Sequence, residues 1–509
     1  MSFITLGMLA QPCQGGSEQP ASRDWSGEGH TRLRQQVQAL RSASFAPGSA
    51  KNAILFVGDG MSLTTVTAAR ILGGQLQGAT GEENALSFEH FAFTGLAKTY
   101  NTDAQTPDSA GTMTALITGH KTRAGVLGLD ETGLRGDCKH RGQNLRSLFA
   151  VARGGGRATG VVTTARVTHA TPAATYAHSP DRDWEAATPA GTEAACPDIA
   201  SQLVQHLGGE SEGGQRTLDL MLGGGRRYFI PAPAGLRGDG RDLIAEWLAA
   251  NPGAQVLDTR AALNASAKSP RLPIWGLFAD SHMGYAQQPT ASEPSLTEMT
   301  QAAIAHLKSN PKGYLLVVEA GRIDHAHHAG NAYNALHDTL ALSQAVARAA
   351  KLTSPEDTLI VVTADHSHVM TLAGYPERGN PILGLAAAYG APLKGADGKP
   401  YTTLSYANGP GFRDYGDEAD ADVVYARPAP PAGPARPNLA EVNTAAPGFH
   451  QESTVPLVAE THGGEDVPVY SQGPGAALLT GAYEQTAIYY VLEHALGLAP
   501  TAQSTEAKQ

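Results

Sequence analysis

Residues 359–365 read LIVVTAD, a run of apolar and mostly β-branched side chains that ends in an aspartate. Continuous apolar runs of this length are typical of strands that are buried on both faces of a parallel sheet. Similar runs are AILFV at 53–57, GVVTTARV at 160–167, LDLML at 218–222 and YLLVVE at 314–319. Because Ala-rich helical stretches separate these runs, we predict an α/β protein, a three-layer α/β/α sandwich with a large, mostly parallel central sheet.

Three segments between or before these runs carry clear helix signals. Residues 295–307 open with Ser295 and Glu298 in a capping-box pattern, and residues 331–350 have apolar positions at helical spacing. We expect both helices to pack on the sheet. Residues 31–43 contain only good helix formers, which predicts an additional N-terminal helix.

Composition and charge limit the classes of function. The 509 residues can bury a large core, and no apolar stretch approaches the roughly 20 residues of a membrane-spanning helix. With 37 Lys and Arg against 48 Asp and Glu, the net charge of −11 opposes non-specific binding to nucleic acid or anionic membrane. An anionic substrate would therefore need a local source of positive charge, such as bound metal ions.

Changes in amino-acid composition along the chain predict its domain organisation. Between 379 and 449, Gly, Pro and Asp become frequent, as in GDEADAD and RPAPPAGPARP, so we predict an inserted, partly irregular subdomain there. The predicted parts are an N-terminal extension at 1–45, an α/β core at 46–378 that returns at 450–500, the insertion at 379–449, and a flexible tail at 501–509. The first residues have a short apolar run without a basic flank, which allows either the remnant of an export signal or a lipid-attachment site at Cys13.

Acidic and imidazole side chains follow three of the predicted strands. Asp59 comes just after AILFV, Glu319 ends YLLVVE, and Asp365 with His366 ends LIVVTADH. In an open parallel sheet, ligands bind in the crevice at the carboxyl ends of the strands. A single Asp in such a place is often only a turn or helix-capping residue. Their accumulation at one edge instead predicts a metal site.

Two further segments offer metal ligands. Asp324 and His328 are four residues apart, which on a helix puts both on one face, although spacing alone makes His325 and His327 equally eligible. His462 lies in the Gly-flanked segment ETHGGED and contributes only if the fold brings it to the same edge.

Residues 106–119, TPDSAGTMTALITG, contain a candidate nucleophile, Ser109. A serine at the start of a helix lies among unpaired backbone N–H groups, which favour an incoming phosphate and a developing alkoxide. A serine hydroxyl needs a metal ion or a base to become a strong nucleophile. The alternative is that Ser109 is only the helix N-cap.

Together these segments resemble the alkaline phosphatases over roughly residues 30–500. VGDGM, PDSAGT, THATPAATYAH with DRDW, LGGGR, VEAGRID with HH, TADHSH and ETHGGED occur in the family's order and at its approximate spacing. The resemblance implies hydrolysis of phosphate monoesters of broad range through a phosphoserine intermediate, with two zinc ions and one magnesium ion per chain. The alternatives are a phosphodiesterase of the same superfamily or a non-catalytic phosphate-binding relative.

The resemblance also implies a role for each matched residue. One zinc is held by Asp324, His328 and His462; the other by Asp59, Asp365 and His366, with Ser109 joining it during the reaction; and magnesium by Asp59, Thr171 and Glu319. Arg182, in DRDW, binds the phosphate oxygens. It is preferred to Arg166 because the family's arginine follows the HATP segment.

Two residues depart from the best-known bacterial members and resemble the animal enzymes: His169 stands where those have Asp, and His325 where they have Lys. We expect both to lie beside the metal ligands, and His169 to weaken magnesium retention because it replaces a carboxylate. FADSHMGY lacks the Glu of the animal calcium site, so no calcium is predicted.

The resemblance further implies a homodimer, in which the N-terminal helix is an arm and residues 379–449 form a crown-like subdomain. Cys138 and Cys196 would enclose a loop of about 60 residues, worth about 3 to 4 kcal/mol as a disulfide. Unpaired thiols are the alternative from spacing alone, but animal members have a disulfide in this place. A bridge would agree with an exported protein, periplasmic or extracellular.

Overall fold

The structure is a computed structural model. The structure describes residues 25–208, 216–266, 273–288, 290–395, 398–411 and 437–498. The chain forms two compact units, Met1–Ser42 and Ala43–Gln509. In the first unit the described residues form helix α1, Trp25–Arg41, which contains most of the predicted N-terminal helix. The predicted tail at 501–509 and Cys13 lie outside the described residues.

The second unit contains all the described strands. In chain order these are β1 Asn52–Gly58, β2 Phe93–Lys98, β3 Ala158–Arg166, β4 Leu220–Gly224, β5 Gln255–Leu257, β6 Ile274–Leu277, β7 Tyr314–Ala320, β8 Thr358–Ala364, β9 Ser367–His368, β10 Met370–Leu372, β11 Ala387–Ala388, β12 Ala391–Pro392, β13 Leu404–Gly409, β14 Ser453–Pro456, β15 His462–Gly463, β16 Val467–Gln472 and β17 Gly481–Glu484.

Ten of these strands form one sheet in the order β17-β2-β16-β8-β1-β7-β3-β4-β6-β5. Every pairing in it is parallel except those of β16, which runs antiparallel to both β2 and β8. The central strands β1, β3, β7 and β8 are buried along their whole length, as the continuous apolar runs predicted. The predicted α/β class and mostly parallel sheet are therefore confirmed.

Helices of the second unit cover this sheet. They are α2 Leu63–Gln75, α3 Ser109–Thr118, α4 Leu148–Gly154, α5 Ala170–Ala173, α6 Ile199–His206, α7 Leu243–Ala250, α8 Arg260–Ser266, α9 Leu296–Leu307, α10 Arg322–His328, α11 Ala332–Leu352 and α12 Ala487–Ala495. α2, α9 and α11 pack together as one group, and α3 packs with α4, α5 and α12 as another. β3 contacts members of both groups, α9 and α4, which fits a strand covered on both faces.

The predicted capping box of α9 is present. The hydroxyl of Ser295 accepts a hydrogen bond from the Glu298 amide at 3.2 Å, and the Glu298 carboxylate accepts one from the Ser295 amide at 2.7 Å. Two of the four amide donors that a helix start leaves unpaired are satisfied in this way.

Part of the predicted insertion at 379–449 is described. It contains the hairpin β11–β12 and strand β13, while residues 412–436 lie outside the described residues. β13 lies between β10 and β14, both of which are outside the predicted boundaries. The boundaries themselves stay a prediction. None of the helices described in either unit has the length and apolar character needed to cross a membrane.

Strand register explains how distant residues meet. Gly58, the last residue of β1, pairs with Ala320 at the end of β7 and with Ala364 at the end of β8. Asp59 and Asp365 each follow directly on these paired residues, and Glu319 pairs with Val57. The three carboxylates therefore arrive at one edge of the sheet, as the strand ends predicted.

Candidate active site at the carboxyl edge of the sheet

The first cluster at this edge consists of Asp59, Asp365 and His366. Each offers one ligand atom, and these atoms lie within 4.8 Å of one another. Nε2 of His366 is 3.5 Å from Asp59 Oδ1 and 3.3 Å from Asp365 Oδ2. The amide of Gly60 donates to the other Asp365 oxygen, Oδ1, at 3.0 Å. The backbone hydrogen bond thus orients a carboxylate that sequence alone placed only at a strand end.

The second cluster gathers around Asp324 on α10. Its Oδ1 atom is 3.3 Å from Nε2 of His328, one helical turn further on, and 3.3 Å from Nε2 of His462. The predicted partners of Asp324 are therefore brought together. His462 reaches them because β15 pairs with β9, with His462 opposite His368, and because its Nδ1 hydrogen-bonds the Pro107 carbonyl at 2.7 Å.

The same cluster contains His368, which our sequence analysis did not assign. Its Nε2 lies 2.7 Å from Asp324 Oδ1, and its Nδ1 hydrogen-bonds the carboxylate of buried Glu460. Burial lowers the pKa of His368, but Glu460 and Asp324 outweigh this effect and raise it to about 10. The alternation of His366 and His368 in TADHSH was the signal that could have indicated a second inward-facing imidazole.

The structure also separates the four candidates that spacing had left open. His327 faces away from the cluster, since its Nδ1 pairs with the Tyr406 hydroxyl at 2.8 Å and its Nε2 with Thr65 at 3.0 Å. His325 has its Nδ1 at 3.1 Å from the Arg322 guanidinium. Asp324 and His328 remain as the pair that shares one potential ligand site.

A third cluster joins Asp59 to His169 and Glu319, again within 4.8 Å. Thr171 lies beside it, with its hydroxyl 3.5 Å from Asp59 Oδ2. One Glu319 oxygen accepts a hydrogen bond from Thr163, whereas the other, Oε1, is buried and has no hydrogen-bond partner among the described residues. His169, which we expected only beside the ligands, offers a ring nitrogen to the cluster itself.

The pKa values of the buried carboxylates in the three clusters indicate that these clusters need bound cations. Burial and then the neighbouring carboxylates raise the pKa of Asp59 well above its ordinary value, and burial raises the pKa of Glu319 to about 7. Asp324 behaves oppositely, because His328 and the other imidazoles outweigh its burial and bring its pKa well below the ordinary value. Buried carboxylates this close together are stable as anions only beside positive charge. The carboxylate oxygens and imidazole nitrogens of the clusters are ligands that divalent metal ions prefer. The Glu319 oxygen, which lacks a hydrogen-bond partner in the described part of the chain, is available for such an ion.

Ser109 begins α3 and is buried. The N-cap of this helix is Asp108, whose carboxylate accepts a hydrogen bond from the Gly111 amide at 3.1 Å, so capping does not use the serine hydroxyl. Oγ of Ser109 instead lies 3.1 Å from His366 Nε2 and 3.4 Å from Asp59 Oδ1. The hydroxyl therefore borders the first cluster and lies at the positive end of a helix.

Arg182 lies on the other side of Asp108. It donates to the Asp108 carboxylate at 3.0 Å, and its second terminal nitrogen is 3.2 Å from Nε2 of His169. Arg166 is held differently, because it forms a buried ion pair with Glu185 through two hydrogen bonds of 2.8 and 3.0 Å. The guanidinium linked to the serine helix is thus that of Arg182.

Part of this site lines a cavity of about 560 Å³. Its walls include Ser109, Arg182, Asp324, His328 and His462. A phosphate group would fill only a part of this volume. The remainder leaves room for a second, larger portion of a substrate.

The chain is similar to known proteins over nearly its whole length. A family model described as alkaline phosphatase matches residues 50–498. The chain is 42% identical over 527 residues to the tissue-nonspecific alkaline phosphatase isozyme of Gallus gallus, covering 98% of this chain and 95% of that one. It is 39% identical over 498 residues to an alkaline phosphatase of Gadus morhua, covering 94% and 98% of the two chains.

Solved structures show the same fold. The alkaline phosphatase of Thermus thermophilus superimposes with a TM-score of 0.62 at 27% identity, covering 91% of this chain and 94% of that one. The alkaline phosphatase of the Antarctic bacterium TAB5 gives a TM-score of 0.60 at 21% identity, covering 89% and 100%. These matches favour a phosphate monoester hydrolase over the alternatives of a phosphodiesterase or a non-catalytic relative. The chain therefore belongs to the alkaline phosphatase family, whose members are hydrolases of phosphate monoesters.

Proposed function

We propose that the chain hydrolyses a broad range of phosphate monoesters through a covalent phosphoserine on Ser109. The observation that carries this proposal is the position of the Ser109 hydroxyl, between His366 and Asp59 and at the start of α3. The hydroxyl is not needed for capping, and the helix start favours a negative charge at this point. The arrangement suits attack of Ser109 Oγ on phosphorus, with the leaving alcohol in the open part of the cavity.

Two zinc ions and one magnesium ion are part of this proposal. Asp324, His328 and His462 would hold one zinc, Asp59, Asp365 and His366 the other, and Asp59, Thr171 and Glu319 the magnesium. When bound, such ions lower the pKa of hydroxyl groups and water and neutralise the attacking and leaving oxygens. Support comes from the oxygen and imidazole donors of the three clusters and from the buried Glu319 oxygen, for which the described ranges contain no hydrogen-bond partner.

Arg182 would bind two phosphate oxygens that do not take part in bond exchange. Its planar guanidinium offers paired donors, which match the geometry of a phosphate. Although burial lowers the pKa of Arg182, Asp108 raises it, so that the side chain remains a cation in the cavity. The ion pair with Asp108 also links the phosphate-binding side chain to the helix that carries the nucleophile.

Hydrolysis of p-nitrophenyl phosphate and of bis-p-nitrophenyl phosphate by the metal-replete protein tests the activity. We expect the monoester to be strongly preferred, and Ser109→Ala to reduce its turnover by at least about 10³-fold, as for other enzymes that lose their nucleophile. Thr118→Ala, at the far end of the same helix, is a matched control for changes in packing. Full turnover by Ser109→Ala with normal metal content would contradict the covalent mechanism.

The third cluster is the proposed magnesium site. Mutants of the TAB5 enzyme have been solved with Mg bound in the M3 site. In this chain His169 stands at the third cluster, where a carboxylate would hold magnesium more tightly. Metal analysis of the purified protein is expected to show about two zinc ions per chain and a magnesium content that depends on added magnesium.

We also propose that the protein is an exported homodimer. One face of α1 carries Leu33, Val37 and Leu40 at helical spacing, and each of these side chains is exposed. An apolar stripe of this kind is typical of a helix that contacts a partner.

The Cys138–Cys196 disulfide supports export to an oxidising compartment. The mass of the protein in solution, and its location in fractionated cells, test these two points.

A further inference from the structure

Arg135 bridges the two aspartates that flank Arg182. Its Nε donates to Asp181 at 3.2 Å, and its Nη2 donates to Asp183 at 2.8 Å. The segment from 181 to 183 is therefore held from both sides by one guanidinium. Planar guanidinium groups are well suited to such a bridge because their donors have a fixed spacing.

Backbone hydrogen bonds also hold the segment from 181 to 183. The amide of Arg182 donates to the Gly125 carbonyl at 2.9 Å, and the amide of Gly125 donates to Asp108 at 3.0 Å. The Arg135 side chain packs so closely over Gly125 that a Cβ atom there would collide with it. Gly125 also has a φ of +77°, which disfavours any other residue. Arg135, Gly125 and Arg182 thus form one packed unit.

The loop that carries Arg135 is itself anchored. The amide of Gly136 donates to the Pro180 carbonyl at 3.1 Å, and Cys138 forms a disulfide with Cys196. On the far side of that disulfide, the amide of Ile199 donates to the Trp184 carbonyl at 2.9 Å. The disulfide therefore joins two segments that each bind the backbone next to Arg182.

We propose that Arg135 is a positioning residue for phosphate binding, acting through Asp181 and Asp183 to hold the backbone from which Arg182 reaches the cavity. This inference rests on the proposed role of Arg182 in binding phosphate. Nothing in the sequence indicated it, because Arg135 is 47 positions before Arg182 and belongs to none of the recognised motifs.

The expected effect is moderate. The side chain of Arg135 is 46% exposed and that of Asp183 is 74% exposed, so water screens this ion pair, whereas Asp181 is only 17% exposed. We therefore expect Arg135→Gln to raise the inhibition constant of inorganic phosphate about 2- to 5-fold, in the upper part of the range of exposed ion pairs. KM for p-nitrophenyl phosphate should rise by a similar factor with little change in kcat, because Arg182 contacts the phosphate in the ground state as well as in the transition state.

Matched variants make the measurement specific. Arg141→Gln removes another arginine of the same loop, whose side chain contacts only Asn144 among the hydrogen bonds described for it, and should leave the phosphate inhibition constant unchanged. Arg135→Lys keeps the charge but cannot bridge both aspartates in the same way, so its effect should be smaller than that of Arg135→Gln. Asp181→Asn removes the more buried partner instead and should act in the same direction, which keeps the test open if Arg135→Gln fails to fold.

A double-mutant cycle separates positioning from direct contact, since Arg135 also borders the cavity. In an Arg182→Ala background, Arg135→Gln should change phosphate inhibition by less than about 2-fold, because the side chain that it positions is gone. An equal effect in both backgrounds would overturn the proposal and indicate direct contact of Arg135 with substrate. An unchanged inhibition constant for Arg135→Gln in an otherwise normal enzyme would overturn it too.

The cycle also distinguishes the inference from the function on which it rests. If Arg182→Ala by itself leaves phosphate inhibition unchanged, the proposed role of Arg182 is wrong. If Arg182→Ala weakens phosphate binding but Arg135→Gln and Asp181→Asn do not, the role of Arg182 stands and only the inference about Arg135 fails.

Discussion

Asp324 and His368 form a buried pair, with 2.7 Å between Oδ1 of the carboxylate and Nε2 of the imidazole. Glu460 contacts the other ring nitrogen of His368 and also accepts a hydrogen bond from the Val369 amide at 2.7 Å. Glu460, His368 and Asp324 therefore form a hydrogen-bonded chain, in which His368 lies between the two carboxylates. Such contacts behind a metal ligand orient it and tune its basicity.

The first prediction concerns this pair. His368→Asn should lower the affinity of the Asp324 cluster for zinc about 10- to 100-fold, since Asp324 loses the contact that orients it. Zinc retained after dialysis against a graded series of chelator concentrations measures this effect. His140→Asn is a suitable control, because the side chain of His140 is exposed and pairs only with Asp137 among the contacts described for it. Equal zinc retention by His368→Asn and by the wild type would show that Asp324 is positioned without His368.

The second prediction concerns magnesium and His169. Chelator-treated enzyme should need both zinc and added magnesium for full activity, because the third cluster has an imidazole in a place where magnesium prefers carboxylate oxygen. His169→Asp should reduce the magnesium concentration needed for half of the full activity. Titration of the metal-free enzyme with each ion measures this. Full recovery with zinc alone would contradict the prediction.

The third prediction concerns Asp338, a buried residue of α11 outside the candidate site. Burial raises its pKa to about 7, while the Ala286 amide, which donates to its carboxylate at 3.0 Å, acts in the opposite direction. Between about pH 4 and pH 7 the unfolded chain loses the Asp338 proton and the folded protein keeps it. The free energy of unfolding should therefore fall as the pH rises through this window, by up to about 1.4 kcal/mol per pH unit from this residue.

Asp338→Asn provides the comparison, because an amide cannot titrate. The difference in unfolding free energy between the wild type and this variant should drift with pH only between about 4 and 7 and then become constant. Denaturant unfolding of both proteins at several pH values, with the same metal content, measures it. A difference that stays constant from pH 4 to pH 7 would mean that Asp338 titrates as an ordinary aspartate.

The candidate metal ligands show most clearly how much of the site could be predicted from the sequence. Asp59, Glu319 and Asp365 could be placed at one edge because strand ends follow from local apolar runs, and parallel pairing then brings those ends together. The choice of His328 over His327 could not be made locally, since it depends on the contact of His327 with Tyr406, 79 positions away. His462 was included only through the family resemblance, because the β15–β9 pairing that places it involves two-residue strands without an apolar pattern.

Side chains that act through other side chains were harder to find. His368 and Glu460 lie 92 positions apart, and Arg135 and Asp181 lie 46 apart, and neither pairing leaves a periodic signal in the sequence. Charged residues in loops are most often solvated, so their default interpretation is that they have no specific partner. Only the folded backbone shows which of them meet.

The last prediction concerns the disulfide, which closes a loop between positions 58 residues apart. A cross-link over a loop of this length restricts the unfolded chain and should add about 4 kcal/mol to the free energy of unfolding. The double variant Cys138→Ser with Cys196→Ser should therefore unfold at a lower denaturant concentration than the wild type. Because Arg135 lies three residues before Cys138, just outside the closed loop, the variant should in addition bind phosphate more weakly under conditions in which it is fully folded. A variant that loses stability but keeps the phosphate inhibition constant of the wild type would show that backbone hydrogen bonds, such as that from Gly136 to Pro180, hold Arg135 without help from the disulfide.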